Sequence, residues 1–206
     1  MTIARALSMN RQFFGVVEAI VVDNADKDGK EGRVKVRFPW FDDQMVTEWC
    51  RVSQPYAGPD FGVFLVPEKD TEVLVAFIHG DMRRPIILGG LYNGKDKPPT
   101  YRDKKKDEKM FKTKAGHQIT LIDTESEQSI LIEDASGKSR FLIDTEKNTI
   151  TIEAESGKLI LKGDGIEMRS KAEVTIDGSD ISVTASGNMK LEASKIDEKA
   201  GEINLN

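Results

Sequence analysis

The sequence predicts an all-β protein in two parts, a small barrel followed by an intertwined triple-stranded β-helix built by three copies of the chain. Three observations carry this. Residues 13–94 hold short runs of alternating apolar and polar residues, parted by Gly, Pro and Asx clusters, with no sustained helical period. Residues 111–206 hold apolar residues in pairs two apart, recurring down the chain. Between them, KDKPPTYRDKKKDEKM (95–110) has two prolines and a charge run with nothing to bury, and reads as a solvated linker.

Residues 1–12 form an N-terminal arm, and strands are then expected at 13–22, 34–38, 47–52, 61–66, 72–78 and 86–88. Val34, Val36 and Phe38 alternate with Lys35 and Arg37, and Val73, Val75 and Phe77 alternate in the same way. That is the pattern of half-buried antiparallel strands. Five or six such strands in about 80 residues suit a small barrel of the OB type.

In the second part the pairs are Ile119/Leu121, Ile130/Ile132, Phe141/Ile143, Ile150/Ile152, Leu159/Leu161, Ile166/Met168, Val174/Ile176, Ile181/Val183 and Met189/Leu191. Ile196 follows as a half-pair, then Ile203/Leu205. The spacing falls from 11 to 9 and settles at 7 or 8, with charged, small or turn-forming residues between pairs. Two apolar side chains per unit cannot offset the entropy of ordering seven or eight residues. A single-chain β-helix needs a longer coil, and the left-handed hexapeptide helix a shorter period. The economical solution is three chains wrapped together, each giving one face of a prism per level. The inward pairs fill the axis, and neighbouring chains complete the strand ladders. At about 4.7–4.9 Å per level, eleven levels make a stiff rod on the order of 50 Å long. Turn residues such as Gly178 and Gly187 let the chain change faces.

Composition narrows the function. The 206 residues are 38% hydrophobic and 32% charged, with a formal net charge of -5. Residues 1–110 carry 18 Lys and Arg against 17 Asp and Glu, and the remainder 12 against 18, so neither part has a basic nucleic-acid footprint. MTIARALSMNRQFF has arginines but no apolar h-region, so synthesis in the cytoplasm without a signal peptide is expected. The lone Cys50 forms no intrachain disulfide, and between Trp49 and Arg51 on an expected strand it reads as core filler rather than nucleophile.

Four ordered motifs in the first part are specific. GRVKVRFPWFD (32–42), WCRVSQPYAG (49–58), GVFLVPEKDTEVLVAF (62–77) and HGDMRRPIILGGLYNG (79–94) resemble, in order and spacing, the Vgr/baseplate-V family of contractile injection systems, which includes phage tails and type VI secretion. KTKAGHQITLID (112–123) resembles the opening of that family's β-helical needle. The resemblance implies a homotrimeric central spike, non-enzymatic and without cofactors. It would be incorporated into the baseplate of a virion or injection particle, and sheath contraction would drive it through the target cell envelope. The large hub domain of longer relatives has no counterpart in the short arm, so the hub is expected to be a separate protein. A lysozyme insertion has no room. His79 and His117 are the only histidines, so the His-x-His iron site of some phage needles has no counterpart. The terminal GEINLN resembles a blunt prism end, on which a PAAR-type tip protein is a plausible cap. Asp70 stands where the family often has Gly.

Other patterns compete with this reading. Residues 24–29 (NADKDG) imitate half an EF-hand loop, but the twelfth position is Lys35 and the flanks are strands, so a hairpin turn is expected. Gly137-Lys138-Ser139 lacks the first glycine of a P-loop, and Gly163-Asp164-Gly165 lacks the third of a dinucleotide fingerprint, with Met168 in its place. His79 and Asp81 suggest a hydrolase, but no G-x-S-x-G elbow accompanies them. Carboxylate pairs such as Glu133/Asp134 read as outward decoration. Phe38, Trp40 and Trp49 are of the kind that stacks bases on an OB face, but the near-neutral charge withholds the electrostatic attraction nucleic-acid binding needs, so core packing and trimer contacts are expected of them. The alternative functions are an OB-fold nucleic-acid- or carbohydrate-binding module with a trimerisation stalk, an envelope-degrading or effector-carrying spike, and a trimeric adhesin stalk.

Overall fold

The computed structural model describes residues 12–29, 31–103 and 106–203. Most of the N-terminal arm, Lys104 and Lys105 of the linker, and Leu205 with the other terminal residues of GEINLN lie outside them. The chain divides into two compact units, Met1–Lys158 and Leu159–Asn206.

The first unit begins with a six-stranded sheet whose strand order is β3-β2-β1-β7-β8-β4. In chain order these are β1 (Val16–Asp23), β2 (Lys35–Phe38), β3 (Asp42–Val46), β4 (Arg51–Val52), then β7 (Glu72–Phe77) and β8 (Pro85–Gly90). The small hairpin β5 (Ala57–Gly58) and β6 (Phe61–Gly62) lies between β4 and β7. β4 pairs in parallel with β8, while the residue just before it, Cys50, bridges Val34 ahead of β2. The two ends of the sheet are thereby joined through residues 42–52, and the sheet closes on itself, leaving few free edges.

Closure follows from the alternation. Ala19, Val21, Val34, Val36, Phe38, Cys50, Val73, Val75, Phe77 and Ile87 form the buried core. The register sets Val17 opposite Val75 and Ala19 opposite Val73, so like faces meet. Three elements differ from expectation, the first being the run expected at 47–52, of which only Arg51–Val52 is strand and Cys50 a single bridge. β3, DDQMV, was not expected as a strand because its residues favour turns, yet it pairs with β2 along the rim with most of its side chains exposed. The apolar run at 61–66 is strand only at Phe61–Gly62. Beyond it, the Gln54 amide donates to the Leu65 carbonyl at 3.0 Å and accepts from the Leu65 N–H at 3.4 Å, standing in for a neighbouring strand.

After the linker come β9 (Glu108–Lys112), β10 (Gln118–Asp123), β11 (Gln128–Glu133), β12 (Ser139–Asp144) and β13 (Thr149–Ala154), a sequential antiparallel meander. β9 takes the last residues of the expected linker, because Lys109 and Met110 find partners in Leu121 and Thr120. The first four apolar pairs therefore find strand partners within one chain, with β13 left at the sheet edge, where partners from neighbouring chains were expected. The reason is spacing. The strands β10 to β13 start 10 or 11 residues apart, which accommodates a six-residue strand and a turn of four or five, the common longer hairpin loops. From Leu159 onward, repeats of seven or eight do not. Among the described residues after Ala154, no strand is formed within the chain.

Asp70 lies in the turn before β7 with φ of 68°, in the left-handed region where glycine is the easiest occupant. Its N–H donates to the Val21 carbonyl at 2.8 Å, holding the turn to β1. Asp70→Gly is expected to keep full stability, whereas Asp70→Val should cost about 1–2 kcal/mol. Denaturant unfolding of the two variants checks this, and equal losses would refute the backbone argument.

Candidate assembly surface

The register of the meander sorts its side chains by face, since residues directly opposite each other point the same way. One row reads Phe111, Ile119, Ile132, Phe141 and Ile152, and the next Lys109, Leu121, Ile130, Ile143 and Ile150. Nine of these ten residues are apolar, and they form one uninterrupted patch across five strands. In the single chain most of the patch is exposed, with Ile119 at 43% exposure and Ile150 at 69%, while Phe141 and Ile143 are half-buried. The opposite face is mixed. It includes a polar row of Lys112, Gln118, Glu133, Arg140 and Glu153, in which Gln118 donates to Glu133 at 2.9 Å and Arg140 to Glu153 at 2.7 Å.

The one charge on the apolar face is neutralised. The Lys109 ammonium lies 2.6 Å from an Asp123 carboxylate oxygen and 2.9 Å from one of Asp107, and these partners hold its pKa above the ordinary lysine value. A patch of this size with a polar rim is the make-up of a protein interface rather than of a monomer's surface.

Of the expected inward residues, Ile119, Leu121, Ile130, Ile132, Ile150 and Ile152 are thus brought together by one chain. Those from Leu159 to Ile203 are not. Leu159, Leu161, Ile166, Met168, Val174, Ile176, Ile181, Val183, Met189, Leu191, Ile196 and Ile203 are each more than half exposed. The rows also recruit Phe111, which stands outside the repeated pairs. Its signal in the sequence was its place two residues before a five-residue turn (113–117) that returns the chain at Gln118.

The barrel has its own apolar surface. Phe64 is 73% exposed, and Tyr56 and Phe61, both also exposed, form a ring pair with centroids 5.1 Å apart. Phe38 is buried against Phe77 at 5.8 Å and Trp40 at 6.0 Å, so it offers no ring to a base. Trp49 carries the Lys35 ammonium 4.9 Å above its ring.

The loop carboxylates are committed locally. Asp26 accepts from Arg33 Nε at 2.8 Å and from the N–H groups of Gly29 and Glu31, and its pKa falls to about 2, chiefly through the Arg33 hydrogen bond. Residues 24–29 thus belong to the loop between β1 and β2, closed by its own arginine. Asp81 is held at about 2 by Arg83, and Asp134, in the β11–β12 turn, at about 2 by the Ser136 hydroxyl. His79 sits at φ of 53° in the single 3₁₀ turn Ile78–Gly80. Gly137-Lys138-Ser139 lies where β11 turns into β12.

Residues 17–92 match the injector OB domain of type VI secretion systems and phage baseplates. This chain belongs to the Vgr/baseplate-V family. Its relatives include the type VI secretion system spike protein VgrG2a of Pseudomonas aeruginosa, 30% identical over 68% of this chain and 17% of the relative. VgrG1b of the same organism is 34% identical over 57% of this chain and 16% of the relative. The actin cross-linking toxin VgrG1 of Vibrio cholerae is 32% identical over 58% of this chain and 11% of the relative. The chain thus spans less than a fifth of the length of these Vgr relatives. Among the described residues no helix is long and apolar enough to cross a membrane.

Cys50 lies inside the barrel that defines the family match. Its Sγ lies 3.2 Å from the Thr47 hydroxyl and donates to the Glu48 carbonyl at 3.2 Å. Burial pushes the thiol up to about 11, only partly opposed by the Thr47 hydrogen bond. The neutral thiol favours the fold below the ordinary thiol pKa of about 8.5, and that contribution is lost as pH rises through about 11. At pH 8 iodoacetamide should leave the native protein unlabelled and label it fully in denaturant. Rapid native labelling would contradict a buried, neutral thiol.

Proposed function

We propose that this chain is a structural, non-enzymatic spike component of a contractile injection device, assembling as a homotrimer and piercing the target cell envelope on sheath contraction. The observation that carries the reading is the uncovered apolar face of β9–β13, continued by the exposed pairs from Leu159 to Ile203. Among the described residues nothing within one chain fully covers these side chains, and copies bearing the same rows can cover one another around a common axis. Residues 159–206 then wrap as a triple-stranded β-helix in which each chain completes its ladders with its neighbours. Such a rod transmits force because its strength lies in interchain ladders rather than in one chain's marginal stability. Family membership supports the device, since the relatives are named as type VI spike proteins. A baseplate hub and a PAAR-type tip protein are the partners this reading carries, and the particle's baseplate its location.

The mass in solution tests it. Light scattering should give three times the 22.9 kDa of one chain. Ile181→Asp or Val183→Asp would bury three unpaired carboxylates at one axial level, at several kcal/mol each, and should abolish or fray the assembly. A monodisperse wild-type monomer, or a full trimer from the aspartate variants, would refute the intertwined needle.

A further inference from the structure

The exposed pairs after Ala154 create a problem of alignment. They are short aliphatic or methionine pairs at almost equal intervals. A chain displaced by one repeat against its neighbours restores apolar contact at every level but the last. Strands with a uniform pattern specify their register weakly. Residues 159–203 contain no ring and no oversized core residue to penalise the slip.

The meander has what the repeats lack. Its register is fixed inside each chain by four hairpins, before any second copy is involved. Its apolar face also holds the only two aromatic residues after Tyr101, Phe111 and Phe141, and both fall in one row, with Ile119 and Ile132 between them. A ring at each of two fixed points on an otherwise aliphatic face gives that face a shape that matches in only one alignment. Lys109, at the end of the adjoining row, is already paired with Asp107 and Asp123 and brings no uncompensated charge to the contact.

We infer that the apolar face of β9–β13 is a register clasp. Its occupant is the same face of a second and third copy, and Phe111 and Phe141 align the three chains before the downstream repeats wrap. The inference rests on the trimeric reading above. Hairpin formation within a chain is a local, first-order event, whereas association depends on concentration, so the clasp is complete when the copies meet.

The test uses the full chain carrying Val183→Cys. In an aligned trimer three cysteines share one axial level, and mild oxidation gives interchain disulfides on a non-reducing gel. The buried Cys50 does not contribute. Adding Phe111→Ala and Phe141→Ala should leave the circular dichroism of the barrel and meander in place. Cross-linking should fall several-fold, whether the mass stays at three chains or drops. A control that removes comparable apolar bulk downstream, Ile166→Ala with Ile176→Ala, should cross-link nearly as well as its parent. Equal cross-linking in the aromatic variant and its parent would overturn the clasp, as would an equal loss in the control. A parent that runs as a monomer would instead overturn the trimeric reading itself.

Discussion

A strand bearing two apolar side chains cannot bury them alone, and the rest of the molecule is arranged around that shortfall. The barrel meets it by closing one sheet on itself, so that Val21, Val36, Val75 and Ile87 face one another across a single interior. The meander meets it halfway, completing its hydrogen bonds within the chain while leaving the apolar rows open. Among the described residues after Lys158, one chain does neither. Reading along the chain, less and less of the fold is settled by one copy.

Spacing decides where each change occurs. With strands of six residues, intervals of 10 or 11 leave room for turns such as the one anchored by Asp134, whose carboxylate accepts from the N–H groups of Ser136, Lys138 and Ser139. Intervals of seven or eight leave no such room, and among the described residues there no strand forms within the chain. The same composition of Ile, Leu, Val, Asp, Gly and Ser thus closes hairpins in one stretch and none in the next, a difference of a few residues of repeat length.

Much of this was legible in the sequence, for identifiable reasons. Val34, Val36 and Phe38, and Val73, Val75 and Phe77, announced their strands because period-two alternation is the direct consequence of a one-sided interior. Asp42–Val46 was missed because its partner β2, rather than its own side chains, makes it a strand. The run at 61–66 was over-read, because apolar content does not reveal that a glutamine amide has taken the place of a strand neighbour. In the second part the pairs were visible, but which of them close within one chain depends on turn length, a quantity that the apolar pattern alone does not weigh. The anomaly at Asp70 was visible as a residue out of place, and its left-handed backbone explains why glycine is the usual occupant there.

The carboxylates that tie down the turns set how the protein meets acid. Asp26, Asp81 and Asp134 serve different loops, and hydrogen bonds lower each from 3.8 to about 2. A lowered carboxylate pKa adds stability that is present in full above the unfolded value and is withdrawn as pH falls through the folded one. All three turns therefore keep their anchors in mildly acidic surroundings and lose them together only between about pH 4 and pH 2. A medium acidified to about pH 5 therefore leaves the turn anchors of both the barrel and the meander ionised.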